Sequence, residues 1–191
     1  MSDAVTLRPL ARGDVEDVLA AFLSTGDMQR QGDVRTAGEA MNYVERLLGP
    51  DSSHCPWAVV DETNTLRGLV VVSVDEVNLS GWFWYWMHVS RRGRGWTSRA
   101  AATVANWALG DGGLHRLELG HRANNPASRA VALAAGFVQE GVEREKFLVD
   151  GQRVDVLTYG RVRSDPVPST VPLPTTTPDE GEHHITAEQA R

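Results

Sequence analysis

Residues 81–96 read GWFWYWMHVSRRGRGW, and this run indicates the architecture of the chain. Its first half, Gly81–Val89, carries aromatic residues at successive positions, which is typical of a central strand covered on both faces. Gly93 and Gly95 then provide a tight turn, and a helical pattern follows over Trp96–Leu109. A buried strand, a glycine loop and a helix in this order predict a mixed α/β domain.

The residues around this run alternate between strand and helix patterns. The predicted strands are Val5–Pro9, Trp57–Val60, Leu66–Val74, Gly81–Val89, His115–Leu119, Phe137–Val149 and Val154–Val162. The predicted helices are Asp14–Ser24, Thr36–Leu48, Trp96–Leu109 and Pro126–Ala135, with Asp14 as a cap and Gly136 as a stop. The element order is therefore β-α-α-β-β-β-α-β-α-β-β.

Composition divides the chain into a domain, residues 1–163, and a C-terminal tail, residues 164–191. The tail holds five of the nine prolines, a run of three threonines and an acidic cluster, with almost no apolar periodicity. Such a segment buries too little surface to offset its ordering entropy, so we expect it to be disordered. His183 and His184 lie in this tail and are expected to be solvated, and no metal is expected anywhere in the chain.

Length, charge and cysteine usage exclude several classes of protein. The 191 residues carry a net charge of −6, which argues against a nucleic-acid binder. No apolar run is long enough to cross a membrane, and the first residues do not resemble a secretory signal. Cys55 is the one cysteine and cannot form an internal disulfide. We therefore expect a cytoplasmic protein with no membrane or nucleic-acid partner.

The glycine loop has the features of an anion site. The N-terminus of a helix leaves backbone N–H groups unpaired and carries a partial positive charge. Gly93 and Gly95 remove side chains where a phosphate would approach the backbone, and Arg91, Arg92 and Arg94 add positive charge. The loop lacks the Lys-Ser/Thr ending of a Walker loop and the third glycine of a dinucleotide fingerprint.

A second block, NPASRAVALAAGF at residues 125–137, follows the glycine loop by thirty residues. Together the two blocks resemble the Gcn5-related N-acetyltransferases (GNAT), in particular the ribosomal-protein N-terminal acetyltransferases typified by RimJ and RimL. Residues 90–95 resemble the acetyl-CoA loop of that family, and the second block resembles its Asn-x-x-Ser…Gly-Phe motif. The resemblance covers roughly Val5–Arg163 and does not specify the acceptor.

The resemblance implies acetyl-CoA as co-substrate, bound between the splayed central strands of a mostly antiparallel sheet flanked by helices. It implies that backbone groups of Met87, His88 and Val89 pair with the pantetheine, with Asn125 and Ser128 beside it. It also implies that the pyrophosphate lies on backbone N–H groups of the loop and first helical turn, namely those of Arg92, Gly93, Arg94, Gly95, Trp96 and Thr97.

The chain departs from the wider family at two positions where catalytic residues are common. Ala132 stands where many members carry a tyrosine acid, so Ser128 is the remaining hydroxyl; it either protonates the leaving thiolate or only positions the co-substrate. Gly120 stands where many members carry a glutamate base. Glu118 lies on the same strand face and either acts through water or is an arginine-paired surface residue.

His88 is a further candidate for the base, because imidazole titrates near neutrality and the residue adjoins the loop. The alternative is a packed histidine that bonds to the backbone. His115 and His121 are expected to be structural, and the tryptophans are expected mostly to fill the core.

The sequence therefore predicts an N-acetyltransferase that transfers an acetyl group to a primary amine by direct attack in a ternary complex. A protein N-terminal α-amine is the favoured acceptor and a small-molecule amine the next. Because Ala132 and Gly120 stand where many members carry catalytic residues, the alternative function is a catalytically silent acyl-CoA-binding sensor. Monomer and homodimer both stay open.

Overall fold

The structure is a computed structural model that describes residues 4–176, and its centre is one sheet of seven strands. The strands are β1 (Val5–Pro9), β2 (His54–Asp61), β3 (Leu66–Asp75), β4 (Ser80–Met87), β5 (Arg116–Arg122), β6 (Val138–Val149) and β7 (Gln152–Val162). Their spatial order is β1-β2-β3-β4-β5-β7-β6, and all neighbours are antiparallel except β4 and β5. The predicted mixed, mostly antiparallel α/β sheet is confirmed.

Four α-helices cover the two faces of the sheet. They are α1 (Val15–Leu23), α2 (Ala37–Leu48), α3 (Trp96–Leu109) and α4 (Pro126–Ala134). Successive residues of a strand point to opposite faces, and β3 shows the consequence. Leu69 and Val71 pack with α1 and α2, whereas Val70 and Val72 pack with α3 and α4. The sheet therefore separates two apolar cores.

Local hydrogen bonds set the starts of α1 and α2, and those at the start of α1 differ from the prediction. Thr36 and Glu39 form a capping box at α2, with Glu39 N donating to Thr36 Oγ1 at 3.3 Å. Asp14 takes the N-cap position of α1, but its carboxylate does not bond the helix. It accepts from Ala11 N at 2.8 Å and pairs with Arg8 at 2.6 Å, so it fixes the 3-10 turn Arg12–Asp14 instead.

Strand β4 is the aromatic strand, and it is central as predicted. Phe83 and Tyr85 point to the core beneath α3 and α4, while Trp84 and Trp86 point to the core beneath α1 and α2. Trp86 is buried and donates its indole N–H to Tyr43 Oη at 3.0 Å. Aromatic residues on both faces thus anchor both layers to one strand.

Strands β4 and β5 separate after a short pairing. Ser80–Trp82 pair in parallel with Arg116–Glu118, and the register ends there although β4 continues to Met87 and β5 to Arg122. The remaining backbone groups of both strands that face this gap have no strand partner across it. The gap opens toward the N-terminus of α3, as expected for splayed central strands.

Residues 164–176 pack on the domain, which corrects the prediction of a disordered segment starting at residue 164. Leu173 is 3% exposed in the α3/α4 core, and its N–H donates to Thr103 Oγ1 at 2.9 Å. Leu7 N donates to Pro174 O at 2.9 Å. One buried leucine creates no periodic pattern, which explains the error. Residues 177–191, including His183 and His184, lie outside the described residues.

Residues 4–176 contain neither a membrane-spanning helix nor a cluster of metal-ligating side chains. No helix there is long and apolar enough to cross a membrane. No group of three or more His, Cys, Asp or Glu side chains in that part of the chain is placed to hold a metal ion.

Candidate active site

The glycine loop turns the chain from β4 into α3. Gly95 is the N-cap of α3 with φ 77°, and Gly93 has φ 74°, a left-handed conformation that favours glycine. A Cβ at either position would meet no heavy atom within 4 Å, so the loop presents open backbone. The first N–H groups of α3 have no acceptor within the helix. This arrangement suits a phosphate group at the helix N-terminus.

Two of the loop arginines are bound within the chain. Arg92 Nη1 lies 2.7 Å from Asp27 Oδ2, which links the loop to the 3-10 turn Gly26–Arg30. Arg91 Nη2 lies 3.2 Å from Asp61 Oδ2, and its guanidinium lies over the ring of Trp96. The loop cations therefore also organise the loop itself, which the sequence did not reveal.

The backbone groups predicted to bind the pantetheine do not all face the gap, because some of them face strand β3. His88 N donates to Arg67 O at 2.7 Å, so this group is already paired with β3. Alternate residues of β4 direct their backbone groups to the other side, toward the gap, and Met87 is one of them. Its carbonyl accepts from Arg92 Nε at 3.0 Å. Val89 N contacts Ser24 Oγ at a long 3.5 Å.

The His88 side chain bonds to the next turn. Its Nδ1 accepts from Ser90 N at 3.1 Å and lies 2.8 Å from Ser90 Oγ, so His88 caps the 3-10 turn Val89–Arg91. Burial and the neighbouring arginine charges lower the pKa of His88. His88 is absent from the walls of the cavity described next.

A cavity of about 400 Å³ occupies the gap between β4 and β5. On the α3/α4 side its wall includes Tyr85, Asn125 and Ser128. Tyr85 Oη lies 2.8 Å from Ser128 Oγ and donates to Ser128 O at 3.1 Å. Burial raises the pKa of Tyr85 to about 12, so the phenol keeps its proton at neutral pH. Asn125 Oδ1 accepts from Ser128 N at 3.1 Å and caps α4.

The opposite wall of the cavity belongs to the α1/α2 side of the sheet. Trp82 and Trp84 lie on this face, and a Cβ on Gly120 would come 3.3 Å from the Trp82 ring. Gln31 and Phe147 also line this wall. The cavity thus passes through the sheet, with hydroxyl groups on one side and indole rings on the other.

The structure keeps Glu118 out of the cavity. Its carboxylate accepts from Arg116 Nε at 2.7 Å, and Arg116 also binds Glu140. This is the surface ion pair that the sequence left open as the alternative. Gly120 does line the cavity, whereas Ala132 is fully buried in the core.

Several cavity residues were missed or set aside by the sequence analysis. Tyr85 was counted only as a strand aromatic, although its place beside Phe83 puts it on the α4 side. His121 was expected to be structural. It lines the cavity, stacks on Tyr159 and has no hydrogen-bond partner for Nε2 among residues 4–176. Arg30 and Arg122 also line the cavity, and no sequence signal pointed to them.

A parallel strand pair that splits beside a glycine-capped helix is the arrangement that the resemblance to N-acetyltransferases implies. The family model described as acetyltransferase (GNAT) domain matches residues 4–138. The chain therefore belongs to the GNAT acetyltransferase domain family.

The chain is also similar to individual proteins and solved structures. The chain is 29% identical over 89 residues to a ribosomal-protein-serine acetyltransferase of Escherichia coli, covering 47% of this chain and 50% of that protein. The matched segment spans about half the length of the curated relatives. A ribosomal-protein-S5-alanine acetyltransferase structure from Vibrio fischeri superposes with TM-score 0.75 at 20% identity, over 86% of this chain and 96% of that one. A spermidine N-acetyltransferase from Vibrio cholerae superposes with TM-score 0.71 at 21% identity, over 84% and 94%.

Proposed function

We propose that this chain is an acetyl-CoA-dependent N-acetyltransferase that acts on a primary amine in a ternary complex. The observation that carries the proposal is the gap between β4 and β5, which has the Tyr85–Ser128 pair on its wall and is followed, past the end of β4, by the open loop at Gly93 and Gly95. The three parts of acetyl-CoA each have a matching part of the site: the loop suits the anionic pyrophosphate, the gap the extended pantetheine, and the hydroxyl pair the reactive thioester. Family membership supports the same activity.

The co-substrate binding groups lie mainly on the backbone. N–H groups of the loop and first turn of α3, residues 93–97, hold the pyrophosphate, whereas the N–H of Arg92 already donates to Val89 O at 3.3 Å. Backbone groups of β4 that face the gap, including Met87, pair with the pantetheine, and Asn125 and Ser128 lie beside it. His88 contributes by capping the turn that precedes the loop, since its own N–H already bonds β3.

Acetyl-CoA supplies an electrophilic carbonyl and a sulfur leaving group. The amine nitrogen bonds to the carbonyl carbon as the C–S bond breaks, Ser128 Oγ gives its proton to the departing sulfur, and the proton that the amine nitrogen loses returns to Ser128 Oγ. Tyr85 keeps its own proton and donates a hydrogen bond to the carbonyl oxygen of Ser128, and its Oη lies 2.8 Å from Ser128 Oγ, so the phenol holds the serine hydroxyl in place. Tyr85 is thus a positioning residue, and Ser128 replaces the tyrosine acid that Ala132 cannot supply.

An acceptor α-amine fits the walls of the cavity better than a lysine side chain. No Asp or Glu lines the cavity among residues 4–176, so no carboxylate removes the amine proton there. An α-amine titrates near 8, whereas neutral lysine at pH 8 costs about 3 kcal/mol more. A protein N-terminus is therefore the first acceptor class, and a small-molecule amine with a similar pKa is the second.

Single and double variants test the role of the hydroxyl pair. Ser128→Ala should lower kcat roughly 100-fold or more with little change in acetyl-CoA affinity. Tyr85→Phe should lower kcat less, and the double variant should be no worse than Ser128→Ala, because both act on one proton. A parallel loss of acetyl-CoA affinity in Ser128→Ala would make Ser128 a positioning residue only.

A catalytically silent acyl-CoA sensor is the second candidate. It is favoured by the position of Glu118, whose carboxylate is bound to Arg116, and by the vacated position Gly120. Steady-state release of CoA with a panel of primary amines separates the two functions. Binding of acetyl-CoA without release of CoA for any amine would establish the sensor.

A further inference from the structure

Two arginines line the cavity and form no ion pair with a carboxylate within residues 4–176. Arg30 ends the 3-10 turn Gly26–Arg30, and Arg122 ends β5; both line the cavity. No Asp or Glu lines it within residues 4–176, and neither arginine has an ion pair to a described residue. The other arginines around the loop contrast with them, because Arg91 and Arg92 each bind an aspartate.

The two guanidinium groups are close enough to affect each other. Burial, followed by the charge of Arg30, lowers the pKa of Arg122. The charges of Asp150 and Asp27 oppose this shift, and the charge of Asp27, whose Oδ2 is bound to Arg92, also acts on Arg30. Like charges in a partly buried cavity repel each other, and an anionic group between them would remove that repulsion.

The pair belongs to the acceptor side of the cavity. Gly120 faces Trp82, and Arg122 follows it by two residues on β5, so its side chain leaves the same face. The phosphate loop and the Tyr85–Ser128 pair lie on the other side, with α3 and α4. An anion bound by Arg30 and Arg122 is therefore part of the acceptor.

We propose that Arg30 and Arg122 form a carboxylate subsite and that the acceptor is a peptide N-terminus with an acidic residue among its first few positions. This inference rests on the proposed function, because it assigns the acceptor of that same site. Guanidinium groups bind carboxylates through paired, charge-assisted hydrogen bonds, which gives the subsite its geometry. The indoles of Trp82 and Trp84 then flank the peptide backbone.

The same subsite disfavours polyamines. A polyamine brings several positive charges, and the described residues that line this cavity add two more and no carboxylate. The net charge of −6 does not reverse this, because carboxylates elsewhere are screened beyond about 8 Å at physiological salt. The local charges decide which acceptor binds.

Calorimetry on the enzyme saturated with CoA tests the subsite without requiring turnover. Three tetrapeptide amides share a free N-terminal serine and differ at the second and third residues, which are acidic, the matching amides, or lysine. We expect the acidic peptide to bind about tenfold more tightly than the amide peptide, and the lysine peptide and spermidine to bind most weakly. Equal or tighter binding of the lysine peptide or spermidine would overturn the inference.

Variants attribute the preference to the two arginines. Arg122→Gln and Arg30→Gln should each reduce the preference to less than threefold while leaving acetyl-CoA affinity unchanged. Arg12→Gln removes the same charge at a residue that does not line the cavity and pairs with Glu45, and this variant should keep the full preference. A fall in acetyl-CoA affinity in Arg122→Gln would overturn the inference by assigning this arginine to the co-substrate.

The two proposals fail separately. If the peptides bind with the expected charge preference but no amine is acetylated, the proposed enzyme activity is refuted and the proposed subsite stands. Acetylation of all three peptides with equal kcat/KM, together with equal binding, would keep the enzyme and remove the subsite.

Discussion

Replacing Leu173 by alanine should destabilise the domain, although the residue belongs to a segment that its composition assigns to a disordered tail. The side chain is 3% exposed and packs in the α3/α4 core. Removing a leucine side chain from such a site costs roughly 2–5 kcal/mol. For a domain of this size each kcal/mol lowers Tm by about 2–4 °C, so a loss of about 3 kcal/mol lowers it by about 6–12 °C.

Val171 is the matched control for this test. It is 67% exposed, two residues away in the same segment, and Val171→Ala should change the free energy of unfolding by less than about 0.5 kcal/mol. Thermal and urea unfolding followed by circular dichroism measure both variants. A Tm for Leu173→Ala within 2 °C of the control would refute the packing of this segment.

Truncations extend the same reasoning to the backbone. A chain ending at Arg163 loses Leu173 and also leaves Leu7 without the hydrogen bonds it makes with Pro174 and Thr176. Its Tm should fall at least as far as that of Leu173→Ala. A chain ending at Thr176 keeps every described contact of the segment and is the control for that truncation, so its Tm should exceed that of the chain ending at Arg163.

Three shorter predictions concern the loop, acid stability and the cysteine. Gly95→Asp and Gly95→Asn tolerate the left-handed conformation similarly, but the aspartate places a charge about 5 Å from the pyrophosphate, which costs about 3 kcal/mol at an effective dielectric constant of about 20. Acetyl-CoA should therefore bind Gly95→Asp roughly 100-fold more weakly than Gly95→Asn in calorimetry. Equal affinities of the two variants would show that the phosphate does not bind at this loop. Burial raises the pKa of Asp61, but hydrogen bonds from Thr63 and Arg67 outweigh it and lower the pKa to about 2. Its contribution to stability is complete above the ordinary value of 3.8 and is lost as pH falls toward 2, so urea unfolding of Asp61→Asn should depend less on pH in that window than unfolding of the parent. Burial raises the pKa of Cys55 to about 11, so the native thiol should react with a disulfide reagent at pH 8 far more slowly than the urea-unfolded one.

The fold was largely predictable because its signals are local. Helical periodicity, the Thr36–Glu39 box and the helix stop at Gly136 lie within a few residues of the boundaries they set. The aromatic run of β4 indicated a strand covered on both faces, and the structure has it between the two cores. Family resemblance supplied the splay of β4 and β5, which periodicity cannot show.

The side chains of the candidate site were less predictable because their partners are distant in sequence. Strand alternation gave the face of Glu118, but not the ion pair with Arg116 that holds its carboxylate outside the cavity. Tyr85 meets Ser128 across 43 residues, a pairing that depends on how α4 packs on the sheet. Arg30 reaches the cavity from an irregular turn, where no periodicity applies.

The tail prediction failed for a related reason. Proline-rich composition correctly excludes a helix or a central strand, but it does not exclude an extended segment laid along an existing edge. Leu7 on β1 forms two backbone hydrogen bonds with that segment, one as donor and one as acceptor. Leu173 of the segment then fills a position in the core. Composition measures the average burial of a segment and misses a single anchor.

The central claim is the acetyl-CoA site formed by the glycine loop and the gap between β4 and β5. Parallel calorimetric titrations of the purified protein with acetyl-CoA, CoA and ATP test it most directly. The account predicts micromolar binding of acetyl-CoA and of CoA, with no detectable binding of ATP. Absence of CoA binding, or ATP binding as tightly as CoA, would contradict the site and with it both the enzyme and the sensor.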